Sequence, residues 1–316
     1  MMKTVSFVIP CYRSAQTIEK VVAEIQNTME DLHRYQYEIV LVNDCSPDDT
    51  FSVISRIARE SDHIIAIDLA RNFGQHAALM AGFHQASGDI IVCLDDDGQT
   101  PANEVGNLLS KLEDNYDVVY ASYENKQHSG FRNWGSKVNG LMTEVLLNKP
   151  KELSITSYFA MRRFVMDEMI RYQHCYPYVI GLVLRTTKRV CNVPVEHRAR
   201  DEGSSGYTIQ KLLGLWMNGF TSFSVKPLRI ASFLGVVTAG AGFLYLLYIL
   251  FRYFTGKTII MGWSSTMAVL LFLGGVILLV LGLIGEYVGR IFMCTNAAPQ
   301  FVLREVVKRE NHGKNV

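Results

Sequence analysis

The chain has 316 residues and a formal net charge of +1, which excludes a global field able to hold nucleic acid or another strongly charged partner. Charged residues make up only 19% and apolar ones 49%, and nearly all of the apolar excess lies after about residue 228, so a soluble domain followed by a membrane element is expected. Six scattered cysteines (Cys11, Cys45, Cys93, Cys175, Cys191, Cys294) show no C-x-x-C spacing, which argues against a zinc or disulfide framework and for reduced thiols in a cytosolic domain.

Met1, Met2 and Lys3 lead straight into an apolar run, so no signal peptide is expected. Short apolar runs at Ser6–Ile9, Glu38–Val42, Ile64–Leu69, Asp89–Leu94 and Val118–Ala121 read as strands. Segments with helical spacing lie between them, at Ala15–Met29, Asp48–Ala58, Gln75–Ala86 and Pro101–Leu112. This alternation predicts an α/β fold with a mostly parallel sheet covered by helices. In such a sheet the residues after each strand share one edge, where ligands bind. That edge collects Pro10 and Tyr12, then Asp44, then Arg71 and Asn72. Asp48, Asp49 and Thr50 stand where helix caps belong, which gives them a structural reading.

The fourth strand ends in "CLDDDGQTP". A run of three carboxylates is commonly a solvated turn. A calcium loop is the second reading, but its twelve-residue spacing is missing. The third is a D-x-D metal site: alternate residues of an extended segment face one way, so Asp95 and Asp97 converge while Asp96 points elsewhere. Gln99 falls on the Asp95 side and adds a neutral oxygen. Such oxygens suit Mg²⁺ or Mn²⁺ shared with substrate phosphates.

Thr208–Val225 carries Ile209, Leu212, Leu213, Trp216, Met217 and Phe220 at helical spacing. It reads as an interfacial helix or as core of the first domain. Ile230–Phe254 and Thr266–Ile284 are each long enough to cross a bilayer, and their short linker makes them an antiparallel hairpin. Lys226 and Arg229 before it, and Arg290, Arg304, Lys308 and Arg309 after it, place both flanks in the cytoplasm. Gly235–Ala239 and Gly285–Gly289 offer small-residue faces for the hairpin itself or for a homo-oligomer. Glu286 and Arg290 are spaced as an i,i+4 pair. Two motif fragments are set aside. Gly256-Lys257-Thr258 lacks the first glycine of a phosphate loop, and Gly240-Ala241-Gly242 has no strand before it.

"VIPCYRS", "VNDCSPDDT", "RNFGQHAALMAG" and "LDDDGQTP", in this order and spacing, resemble the nucleotide-sugar domain of the inverting, GT-A type, family 2 glycosyltransferases. "RDEGSSGYT", "FTSFSVKPLR" and "GEYVGR" resemble the polyprenyl-phosphate branch of that family, akin to dolichyl-phosphate mannose synthase and the bactoprenol glucosyltransferases. The resemblance runs from residue 4 to about 305. It implies a GT-A, Rossmann-like domain over residues 1–207, interfacial helices over 208–228, a two-span hairpin over 229–289 and a cytosolic tail over 290–316.

For the site, the resemblance implies that Pro10, Tyr12 and Asp44 hold the nucleoside, with Asp44 on the base, Asp96 on the ribose side, and Arg71 and Asn72 nearby. Asp95 and Asp97, with Gln99 assisting, would hold Mg²⁺ or Mn²⁺. Asp97, Arg200 and Ser154 are the catalytic candidates, Arg200 facing the phosphates beside Gly203 and Ser205. Three departures stand out: Gly206 where a Lys is common, Ser154 where a carboxylate is expected, and Ala298 where a basic residue usually precedes the Pro.

The implied reaction moves a sugar from a nucleoside diphosphate, UDP rather than GDP by analogy, to undecaprenyl phosphate at the inner membrane. Ser154 is compatible with it, because a phosphomonoester is already largely dianionic at neutral pH, with a second pKa of about 6, and needs no strong base. Arg132, Lys137, Arg162 and Arg163 are candidates to dock that phosphate. The alternatives are a processive polysaccharide synthase, for which no Q-x-x-R-W element is present, a glycosyltransferase with another lipid or polymer acceptor, which Ser154 and Gly206 would suit, and a catalytically silent nucleotide-sugar-binding scaffold.

Overall fold

A computed structural model describes residues 2–123, 149–196, 226–255 and 262–309. The chain divides into two compact units, Met1–Leu212 with Ala297–Val316, and Leu213–Asn296.

In the first unit strands and helices alternate: β1 (Lys3–Cys11), α1 (Ile18–Asp31), β2 (Tyr35–Asn43), α2 (Thr50–Glu60), β3 (Ile64–Leu69), α3 (Gln75–Phe83), β4 (Ile90–Cys93), α4 (Val105–Glu113) and β5 (Val118–Tyr123). Then follow β6 (Phe159–Arg162), α5 (Arg163–Ile170), α6 (Val179–Thr186) and β7 (Val190–Val195), and, after the second unit, β8 (Leu303–Val307). The described strands form one sheet in the order β7-β5-β6-β4-β1-β2-β3-β8. β1 is buried on both faces, as its unbroken apolar run requires under helices on both sides. Gly82 of α3 sits so close to β1 that an added Cβ would lie 2.3 Å from Val8 Cγ1, so this helix can approach the sheet only through a glycine.

The register builds the functional edge. Cys11 pairs with Asn43 and Asn43 with Asp68 in parallel, so β1, β2 and β3 end together, with β4 beside them. β6 inserts antiparallel between β4 and β5, pairing Phe159 with Cys93, and so brings residues 154–158 to the same edge. β8 closes the far side antiparallel to β3, pairing Leu303 with Leu69. The region expected as a tail from residue 290 is therefore in part structural: it completes the sheet. β6, β7 and β8 carry weak sequence signals. β6 has only four residues, β7 contains Pro194, and β8 is an exposed edge.

The second unit contains α7 (Lys226–Phe254) and α8 (Trp263–Thr295), which together carry many exposed apolar side chains such as Phe233, Leu244, Phe272 and Leu278. At ~1.5 Å per residue both helices exceed the ~30 Å of a hydrocarbon core. By length and composition one described stretch, Phe272–Thr295, qualifies to cross a membrane, and Ala231–Tyr245 is a shorter apolar stretch. Glu286 and Arg290 form the i,i+4 ion pair at 2.8 Å.

Candidate active site

The loop after β1 is pinned from both sides. Tyr12 N–H donates to Asp96 Oδ2 at 2.9 Å, and the Ser14 hydroxyl donates to the same oxygen. On the other side Arg13 N–H donates to Ser46 Oγ at 2.8 Å and Ser14 N–H to Thr50 Oγ1 at 3.0 Å. Arg13 takes a positive φ of 60°, and Tyr12 before it is 46% exposed. Pro10 lies one residue before the end of β1. Asp96, in the bend that follows β4, thus ties the loop after β1 to the end of the fourth strand. Burial raises its pKa against the lowering effect of the Ser14 and Tyr12 bonds, with the Asp97 charge adding to the rise.

Asp44 follows β2 and is buried. Its two carboxylate oxygens accept from Phe73 N–H at 2.7 Å and Gly74 N–H at 2.8 Å, while Asn72 Nδ2 donates to Asp44 O at 3.1 Å. Gly74 has φ 89°, a conformation that suits glycine and aims its N–H at the carboxylate. Burial raises the Asp44 pKa, opposed by these two N–H donors. Arg71 lies exposed, its guanidinium 4.6 Å from the centre of the Phe73 ring. Asp49 is the N-cap of α2 but makes no side-chain cap bond; Asp48, one residue earlier, accepts on Oδ1 from Thr50 N–H at 3.3 Å and Thr50 Oγ1 at 2.6 Å. Burial raises its pKa, but the Ser46 and Thr50 bonds outweigh this and hold it low. An open hollow of 520 Å³ beside these loops is lined by Arg13, Ala15, Gln16, Pro47, Asp48 and Asp49.

Asp95 faces a different set of groups. Its carboxylate accepts from Gln75 Nε2 at 3.2 Å and from the Ser157 hydroxyl. Asp97 Oδ1 accepts from Gln99 N–H at 3.1 Å. At the end of β5, Tyr123 is pushed up to about 12, first by burial and then by the Asp95 charge. Among the described residues no group of three or more His, Cys, Asp or Glu side chains gathers as a metal cage. Two carboxylates suit Mg²⁺ or Mn²⁺ when substrate phosphates complete the shell, and Cys93, a soft donor two residues before Asp95, is a buried thiol with a strongly raised pKa. The carboxylates of Asp95 and Asp97 and the side-chain amide of Gln99 are by donor chemistry the kind that a hard divalent cation takes.

Ser154 is held by its main chain rather than by its hydroxyl. Its N–H donates to Asn192 Oδ1 at 2.8 Å and its carbonyl accepts from Asn192 Nδ2 at 2.7 Å. Arg200, Ser205, Arg132, Lys137 and the amphipathic segment 208–225 lie outside the described residues. Arg162 and Arg163 do not join the site. Arg162 pairs with Ile90 at the start of β4, the opposite edge, where it donates to Tyr116 O and Leu112 O. Arg163 donates to Ser87 O and Gly88 O there. Both were candidates for phosphate docking; the antiparallel course of β6 carries them away from it. Ser14, Gln75, Ser157 and Asn192 went unmarked as site residues in the sequence because single polar residues carry no periodic signal.

The sequence signature of glycosyl transferase family 2 matches residues 6–170. The chain belongs to that family. This family 2 glycosyltransferase also matches the GtrB C-terminal hairpin over residues 226–291, which covers α7 and most of α8. It is 34% identical over 318 residues to the undecaprenyl-phosphate 4-deoxy-4-formamido-L-arabinose transferase of Proteus mirabilis, covering 98% of this chain and 96% of that one. The enzyme of the same description from Salmonella choleraesuis is 34% identical over 317 residues, with 98% and 95% covered. Among solved structures, glucosyl-3-phosphoglycerate synthase from Mycobacterium tuberculosis, in complex with Mn²⁺, UDP-glucose and phosphoglyceric acid, superposes with a TM-score of 0.51 at 19% identity, over 66% of this chain and 74% of that one. At that identity the likeness establishes the GT-A fold of the transferase and nothing finer.

Proposed function

We propose that this glycosyltransferase moves a sugar from a nucleoside diphosphate, UDP in preference to GDP, to undecaprenyl phosphate, with inversion and with a divalent cation. One observation carries the reading: the end-to-end likeness to undecaprenyl-phosphate sugar transferases, hairpin included. The sheet edge supports it. Asp44 and the loop of Pro10 and Tyr12 receive the nucleoside, with Asn72 and Arg71 beside it and Asp96 holding the loop in place. Asp95 and Asp97, with Gln99, hold the cation, which supplies charge for the departing diphosphate. Arg200 and Ser205 extend that charge and hydrogen bonding to the phosphates.

The acceptor phosphate oxygen forms the new bond to the anomeric carbon on the face opposite the diphosphate, whose bond to that carbon breaks. No proton need leave the acceptor dianion, so a serine at position 154 suffices where a hydroxyl acceptor would require a base. The second unit anchors the enzyme as a two-span hairpin in the inner membrane with the catalytic unit cytoplasmic. This confines the enzyme to the plane that holds the lipid phosphate and raises its effective concentration.

The test is transfer from a panel of labelled UDP- and GDP-sugars to undecaprenyl phosphate in detergent, with Mn²⁺ or Mg²⁺, beside Asp97→Ala. A labelled lipid that disappears with EDTA and in the variant is expected. Donor binding without any lipid product would instead point to a hydroxyl acceptor or a silent scaffold.

A further inference from the structure

In β8, Arg304 reaches over β3: Nη1 donates to Asp68 Oδ2 at 3.0 Å and Nη2 to Ala70 O at 2.8 Å. The two partners lie 236 and 234 residues earlier in the chain. Asp68 has a side chain only 4% exposed, whereas that of Arg304 is 56% exposed. A carboxylate so buried needs strong partners. It has Arg304 on one oxygen and, on the other, Asn43 Nδ2 at 2.7 Å.

Both partners lead into the nucleotide edge. Asn43 Oδ1 accepts from Ser46 N–H at 3.2 Å, and Ser46 Oγ accepts from Arg13 N–H, next to Tyr12. Ala70, whose carbonyl Arg304 holds and whose N–H donates to Val302 O at 2.8 Å, opens the segment that runs through Arg71 and Asn72 to the two N–H groups on Asp44. One guanidinium therefore braces both loops that flank Asp44. At the other end of β8, Arg309 pairs with Asp62 at 3.2 Å between two exposed side chains, away from that edge.

We infer that Arg304 is a positioning residue for the donor nucleotide: the strand after the membrane hairpin sets the spacing of the two nucleotide loops. The inference rests on the proposed use of Asp44 and Tyr12 for the nucleoside. An arginine suits the task because its planar fork serves a carboxylate and a carbonyl at once, which a lysine's single ammonium cannot match in geometry.

The test uses the full chain in detergent, with UDP and Mn²⁺ as the probe in calorimetry and donor and acceptor KM measured separately. Arg304→Ala is expected to weaken UDP binding and raise donor KM by about tenfold, inside the range that network mutations reach, while acceptor KM stays within about twofold. Arg304→Lys should recover part of the loss. Arg309→Ala, which breaks only the surface tie, should bind UDP like the wild type. A purely structural role would lower the active fraction and leave donor KM where it was, and that result overturns the inference. An equal loss in Arg309→Ala overturns it as well. Should Arg304→Ala not fold, the lysine variant decides by the same KM comparison. A wild type that binds neither UDP nor GDP would bring down the nucleotide-sugar reading itself, and this inference with it.

Discussion

The side-chain amide of Asn192 grips the main chain of Ser154 at two points, accepting from its N–H at 2.8 Å and donating to its carbonyl at 2.7 Å. The same Nδ2 also donates to Tyr120 O at 3.2 Å, so a residue of β7 fixes the segment before β6 against β5. Ser154, at the position where the resemblance led to the expectation of a carboxylate, is thus constrained through its backbone. Asn192→Ala is expected to cost about 1–3 kcal/mol by stranding these groups, while Ser154→Ala keeps the clasp and stays within about 0.5 kcal/mol. Thermal unfolding and transfer rates on both variants check this. If Ser154→Ala lost as much activity as Asn192→Ala, the hydroxyl would have a direct role.

Asp95 is oriented by hydrogen bonds from Ser157 and Gln75. Partners of this kind commonly set metal affinity by about 10–100-fold. Ser157→Ala is expected to weaken Mn²⁺ binding in the presence of UDP within that range, read by electron paramagnetic resonance titration. Gln75→Ala should do less, since its bond to Asp95 is longer and exposed. Unchanged Mn²⁺ affinity in Ser157→Ala would remove Asp95 from the proposed cation shell.

His76 follows Gln75 and stands edge-on to Tyr178 with ring centroids 5.0 Å apart. Its Nδ1 is sealed from solvent with no partner among the described residues, and burial lowers its pKa to about 4. An unfolded histidine titrates near ~6.5. Between those values the unfolded chain binds a proton that the folded chain refuses, so stability falls as pH drops through the window and is level above it. His76→Phe is expected to lose less melting temperature between pH 7 and pH 4.5 than the wild type. Asp44 and Asp96, with raised pKa values, act in the opposite sense in both proteins and cancel in the comparison. Parallel curves for the two proteins would show that His76 does not drive the acid loss.

Arg162 donates to Tyr116 O at 2.9 Å and Leu112 O at 2.6 Å, close to the C-terminal end of α4. Arg162→Ala is expected to cost about 1–2 kcal/mol of stability and to leave donor and acceptor KM unchanged. A selective rise in acceptor KM would return this arginine to the acceptor site.

Much of the catalytic unit was legible in the residues alone. The apolar runs of β1 to β5 and the helical spacing between them mark a parallel sheet because both are local signals, repeated within a few residues. The place of Asp44, Arg71, Asn72 and Asp95–Asp97 follows from that sheet, since parallel strands must end on one edge. Asp96 shows the limit. Its place after β4 follows from the sheet, but its partners, Tyr12 N–H and the Ser14 hydroxyl, sit 84 and 82 residues away.

Period, length and charge are properties of neighbouring residues, so the alternating fold, the carboxylates at the end of the fourth strand and the apolar second unit are readable from the chain alone. Which distant residues complete the edge depends on how the strands assemble. The antiparallel insertion of β6 brings Ser157 to Asp95 and carries Arg162 to the other side, and the return of β8 brings Arg304 onto Asp68. Strand direction and register are chosen by packing across the whole sheet, which no window of sequence contains.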